Sequence, residues 1–177
     1  MATDLAVFRK QIAQKRIEVL ERISKVPVAA LVWGPTPTSA DPVAQARLSL
    51  RDALRSNGHL AEFSEDLYDS SLPQSNLVQQ VAQAEVFDIV FSIPASFGSI
   101  GEIHDFARIP GLSHKVIAFI DQMHLGSYSS QSLLATQTSA SCKVEVYDAS
   151  KLPDSILKPA LDQVRRLQEL LYVSGRR

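Results

Sequence analysis

Leu5, Phe8, Ile12, Val19, Leu20 and Ile23 recur at helical spacing, which predicts an amphipathic helix from an N-cap at Thr3 or Asp4 to the break at Pro27. The next run, Val28 to Trp33, is apolar throughout and closes at Gly34-Pro35. A run this short, ended by turn residues, reads as a strand buried on both faces of a parallel sheet. Asp41 to Asn57 then carries Val43, Ala44, Leu50 and Leu54, with Arg47, Arg51 and Arg55 four apart. This predicts a helix with one basic stripe, stopped by Asn57-Gly58. Such a stripe is ordinarily a solvated face, or else a place to meet a phosphate.

A short strand over 59–63 is followed by the acidic turn Ser64-Glu65-Asp66 and a polar loop to Ser75. A helix over 77–86 leads into a strand over 88–93 that ends at Pro94, and glycine-containing loop residues lead to a helix over 100–108, broken at Pro110-Gly111. Strands over 115–121 and 143–147 flank a Ser/Thr/Gln-rich connection. The last helix begins near Pro153, with Leu157, Leu161, Val164, Leu167, Leu170 and Leu171 on one side and Pro159 marking its start or a kink. Strands and helices alternate throughout. That order predicts an α/β, Rossmann-like three-layer sandwich with a mostly parallel sheet of about five strands. Residues 1–177 form one domain, with amphipathic terminal helices at about 4–25 and 153–173.

Composition narrows the classes. Hydrophobic residues make up 45% and charged residues 21% of 177, which fits an ordinary globular domain. A net charge of -1 supplies no field that would recruit nucleic acid or anionic lipid. The single cysteine, Cys142, forms no intrachain disulfide and starts an apolar strand as a buried thiol. The first 25 residues lack the apolar core of a signal peptide or membrane span, so a cytoplasmic protein is expected. His59, His104 and His114 have no spaced partner, so neither a metal nor another cofactor is expected.

In an open parallel sheet, ligands bind beyond the carboxyl ends of the strands. Three segments fall there: 33–38, 63–66 and 92–102. Within them Gly34, Ser64, Asp66, Ser92, Phe97, Gly98 and Ser99 are the candidate ligand contacts, because small residues let backbone amides approach a phosphate or sugar beside a helix N-terminus. Glu102 falls in the first turn of that helix, where a carboxylate tends to stay ionised. Breaking a bond from ribose to base builds oxocarbenium character that such a carboxylate stabilises or attacks. Asp66 or Glu65 suits ribose hydroxyls, and Asp105 lies about one helical turn from Glu102. Trp33, Phe97 and Tyr128 are candidates to stack on a base, and His124 to protonate a leaving group. Each has a plainer role open to it: Glu102 as a helix-start charge, Ser64 to Asp66 as a turn, Trp33 as core.

Pro94-Ala95-Ser96-Phe97-Gly98-Ser99-Ile100-Gly101-Glu102 resembles the Pro-Gly-Gly-x-Gly-Thr-x-x-Glu loop of the cytokinin-activating phosphoribohydrolases, the LOG-like proteins. The stretch from Asp88 to Phe106 is similar to the Gly-Thr-x-x-Glu region of nucleoside 2-deoxyribosyltransferases and, more distantly, to TIR-like domains that cleave nicotinamide dinucleotides. Ala95 and Ser96 stand at the paired glycines and Ser99 at the threonine, which favours the last two groups over the first. The resemblance implies a Rossmann-like sheet and cleavage or transfer at an N-glycosidic bond of a nucleoside, nucleotide or dinucleotide. It implies Glu102 as the catalytic carboxylate, Gly98 and Ser99 as the cradle, and a homodimer or higher homo-oligomer with the site near a subunit interface. A catalytically silent nucleotide sensor is the alternative, and a structural or assembly role through the terminal helices is the third reading.

Overall fold

The computed structural model describes residues 2–95, 103, 104, 106, 108–127, 131, 134, 135, 137 and 141–176. Helix α1 (Ala2–Ile23) precedes β1 (Ala29–Trp33), α2 (Pro42–Ser56), β2 (Leu60–Phe63), α3 (Asn76–Val86), β3 (Ile89–Ser92), β4 (Val116–Asp121), β5 (Lys143–Tyr147) and α4 (Asp154–Val173). The chain punctuates these elements where its chemistry requires. The Asp41 carboxylate accepts from the Val43 amide with Pro42 in the first turn of α2, and the Ser75 hydroxyl accepts from the Val78 amide at the start of α3. At the other end of α3, the Lys115 ammonium donates to the carbonyls of Ala84, Glu85 and Phe87, a cation on otherwise unpaired C-terminal acceptors.

The five strands form one sheet in the order β2-β1-β3-β4-β5, and every neighbouring pair is parallel. The continuous apolar runs follow from this, since a parallel sheet is covered on both faces. On one face Val28, Ala30, Val32, Phe63, Phe91 and Phe119 pack under Leu50 and Leu54 of α2 and Ile156, Ala160 and Val164 of α4. On the other, Leu31, Trp33, Val90, Val116, Ala118 and Ile120 meet Ala84 of α3 together with Ile103 and Phe106. The result is the α/β, Rossmann-like three-layer sandwich expected. Pro159 lies inside α4, which starts at Asp154.

Two readings of helix surface change. Helix α1 forms, but Leu5, Phe8, Ile12 and Leu20 are each more than half exposed, so its stripe does not join the sandwich core. Its anchorage is at its C-terminal end, where the Arg22 guanidinium lies 5.9 Å from the Tyr172 ring of α4. Of the arginine stripe of α2, Arg55 stays exposed, whereas Arg47 and Arg51 turn inward. Arg47 is completely buried, Arg51 packs on the Phe63 ring at 4.4 Å, and Arg55 donates to the Ala61 carbonyl and Glu62 carboxylate. The reason is that α2 lies along β1 and β2, so Arg47 reaches the Val32 carbonyl, Arg51 the Phe63 ring and Arg55 the Ala61 carbonyl.

Gln168 closes the junction between the terminal helices. Its side chain is 4% exposed, and Nε2 donates to the carbonyls of Ser24 at 3.1 Å and Val26 at 2.8 Å. Gln168→Leu leaves both acceptors without that donor, at a cost of about 1–3 kcal/mol. Calorimetry should show a melting midpoint lower by about 3–9 °C for a domain of this size, and an unchanged midpoint would contradict the assignment.

Candidate functional site

The side of the sheet that carries Arg47 shows why. On the helical wheel of α2, position 47 falls between Ala44, Leu50 and Leu54, the helix's own buried residues. A cation placed there has to find partners inside the protein. Nη1 donates to the Pro35 carbonyl at 2.9 Å and to Glu65 Oε1 at 2.5 Å, while Nη2 donates to the Val32 carbonyl at 2.6 Å and to Glu65 Oε2 at 2.7 Å. The two ends of a planar fork thus hold the carboxylate bidentately and tie the end of β1, the loop after β1 and the turn after β2 together. The guanidinium also packs on the Phe63 ring at 4.1 Å. Its Nε is buried with no hydrogen-bond partner.

Gly34 makes room for this arrangement. Its φ is +154°, and a Cβ there would stand 2.9 Å from the Ile93 carbonyl oxygen and 3.0 Å from Arg47 Cδ. The loop can therefore lie against the arginine only without a side chain.

Around these groups opens a cavity of about 710 Å³, walled by Trp33, Gly34, Pro35 and Thr36 after β1, Ser64, Glu65 and Tyr68 after β2, Asn76 and Gln80 of α3, Ser92, Pro94 and Ala95 after β3, and Ile103 and Phe106. It is of a size for a ligand such as a nucleoside. Its position is the crevice where the strand order reverses: β1 is followed outward by β2 and on its other side by β3. The turn after β2 is pinned to α3 by Ser64 Oγ donating to Gln83 Oε1 and by both ends of the Gln79 amide on the Asp69 backbone. Glu65 and Tyr68 are presented from that turn.

The Glu65 carboxylate is half-exposed at the cavity while its partner is not exposed at all. Partial burial pushes its pKa up, but the hydrogen bonds from Arg47 and from its own backbone amide, with the guanidinium's charge, outweigh this and hold it below the ordinary value of 4.5. It is an ionised acceptor at neutral pH. Trp33 packs on Phe106 with ring centroids 4.4 Å apart, is 9% exposed, and has an indole N–H that is buried with no hydrogen-bond partner. The rings make it a wall of the cavity.

Of the residues selected from sequence, Gly34, Ser64, Ser92 and Trp33 line this cavity, as does Glu65. Asp66, one position further, is exposed and does not. His124 sits on the turn after β4 and is likewise outside the wall. Glu102, Phe97, Gly98, Ser99, Asp105 and Tyr128 lie outside the described residues; Ile103, which follows Glu102 in the chain, is in the wall. Arg47, Tyr68, Asn76 and Gln80 were not anticipated. The i, i+4 spacing of Asn76 and Gln80 puts both amides on one face of α3, and Arg47 sits at a core-facing heptad position, so both signals are present in the sequence. Cys142 is buried and its thiol is pushed up to about 11 by burial, which keeps it protonated. Among the described residues no His, Cys, Asp and Glu cluster is arranged to hold a metal, and no helix is long and apolar enough to cross a membrane. No protein-family model matches the sequence, and no curated protein matches it.

Two outcomes are expected of this geometry. Gly34→Ala forces either the Ile93 carbonyl or Arg47 to move and should lower stability by about 1–3 kcal/mol in chemical denaturation, with wild-type stability as the contrary result. Because the folded-state pKa of Glu65 is depressed, its stabilisation is fully present above the unfolded value and is lost as pH falls through the folded one. Wild type should therefore lose stability below about pH 4.5 more steeply than Glu65→Gln in pH-dependent melting, and parallel curves would refute that.

Proposed function

We propose that this domain binds a nucleoside-class ligand in the cavity at the ends of β1, β2 and β3 and cleaves or transfers its N-glycosidic bond, with Glu102 as the catalytic carboxylate. The observation that carries the reading is a cavity at the strand-order reversal with a fixed, ionised acceptor, Glu65, in its wall beside the Trp33 ring. Sugar hydroxyls are donors that suit Glu65. The amides of Asn76 and Gln80 offer both donors and acceptors to the edge of a heterocycle. Glu102 enters through the resemblance of its loop to the N-glycosidase families named above, and through the chemistry of an ionised carboxylate beside an anomeric carbon.

A silent sensor is the second reading. It is favoured by the engagement of Glu65, whose oxygens both accept from Arg47, an arrangement that suits recognition more than proton transfer. Association into a homodimer belongs to either reading, because α1 offers Leu5, Phe8, Ile12 and Leu20 to a second copy.

Incubation with a panel of nucleosides, nucleoside monophosphates and NAD, followed by chromatography, tests the reaction. Wild type should release free base, and Glu102→Gln should do so at least about a hundredfold more slowly. Undiminished turnover in that variant removes Glu102 from the chemistry, and thermal stabilisation by ligand without product in either protein selects the sensor. In light scattering, wild type should show twice the 19.4 kDa of one chain and Phe8→Asp the single mass; a monomeric wild type rejects the dimer.

A further inference from the structure

We infer that Glu65, locked in place by Arg47, is a charge-selectivity determinant that admits an unphosphorylated nucleoside to the cavity and turns its phosphorylated counterpart away; this rests on the nucleoside-class reading above. Among the described residues of the wall, Glu65 is the one that carries a charge at neutral pH. The cation paired with it, Arg47, lies behind it. Arg47 is fully buried, and each of its two terminal nitrogens already serves one Glu65 oxygen and one backbone carbonyl, so it is not available to a phosphate.

A phosphate seated in this cavity would exchange its hydration for a wall whose described residues hold no cation, and would face the Glu65 carboxylate ahead of the buried guanidinium that partly offsets it. The favourable partial charges in the described wall are the neutral amides of Asn76 and Gln80 and the first turn of α3, at Asn76, where the Ser75 hydroxyl already holds the Val78 amide. A helix start amounts to about half a charge and falls off within a turn, which does not outweigh a whole carboxylate. Hydroxyl groups meet the opposite situation. Both Glu65 oxygens retain lone pairs beyond those used by Arg47, so a sugar diol finds acceptors already oriented. Arg47 is thus a positioning residue, and Glu65 is where selectivity is read.

The test is calorimetric titration of wild type and Glu65→Gln with adenosine, guanosine, cytidine and thymidine and with the matching 5′-monophosphates, at low and high salt. Wild type should bind the preferred nucleoside at least about tenfold more tightly than its monophosphate. That ratio should shrink as salt screens the carboxylate, a readout that needs no variant. Glu65→Gln keeps an oxygen for Arg47 and removes the charge, so the ratio should fall to within about threefold, chiefly through tighter monophosphate binding. A monophosphate bound as tightly as the nucleoside by wild type, with base release intact, overturns the selectivity and leaves the proposed reaction standing. An unchanged ratio in a folded Glu65→Gln protein removes Glu65 as its source. Binding of neither ligand class to wild type overturns the selectivity and the nucleoside reading together.

Discussion

The buried guanidinium of Arg47 is the constraint from which the functional end of the sheet follows. A permanently charged group without exposure is sustainable only if the surrounding backbone and an acid converge on it. Val32 and Pro35 supply carbonyls from β1 and its loop, Phe63 supplies a ring from β2, and Glu65 supplies the counter-charge from the next turn. Three segments separated in sequence are thereby held in one geometry by one side chain. The requirement also explains Gly34, since the chain must pass the arginine closer than a Cβ allows.

That convergence lies beside the point where the sheet changes direction. The chain moves outward from β1 to β2 through α2 on one face and returns past β1 to β3 through α3 on the other. The loops after β1 and β3 diverge to opposite sides, and the crevice between them is a consequence of topology before any residue is chosen. Sequence then decides what the crevice contains. Trp33 and Phe106 close its floor with apolar rings, while Glu65, Asn76 and Gln80 supply polar groups on one side.

The layer order was legible because parallel strands buried on both faces are written as unbroken apolar runs, as in residues 28–33 and 116–120. The ends of α2 at Asp41 and Asn57 were legible because caps are local chemistry. Gly34, Ser64 and Ser92 were reachable by a rule of topology, which locates the ends of strands without needing side-chain detail. Arg47 was not read correctly, because the i, i+4 basic stripe and the buried face of α2 share that position, and charge alone favours solvent. What decides between them is the end of β1, the loop after it and the turn after β2, whose carbonyls and acid are distant in sequence. The exposure of Leu5, Phe8 and Ile12 was hidden for a related reason: an apolar stripe announces that a helix wants a partner and does not say that the partner is its own core.

The state of Glu65 limits what it can do for a reaction. A carboxylate held below its ordinary pKa by a bidentate arginine is a poor proton carrier near neutrality, since it neither holds a proton to give nor readily accepts one. Its oxygens are also fixed in the plane of the guanidinium, which favours steady acceptance of hydrogen bonds over attack on carbon. Recognition and bond breaking are therefore separate tasks in the proposed reaction, one assigned to the turn after β2 and the other to the loop after β3. Such a division suits N-glycosidic chemistry. Orientation of the sugar has to persist through the reaction, whereas the group that meets the anomeric carbon must respond to a developing positive charge. An acid whose oxygens are already held in place by Arg47 is not free to follow that charge, which is why the proposed reaction assigns the step to a second carboxylate, Glu102.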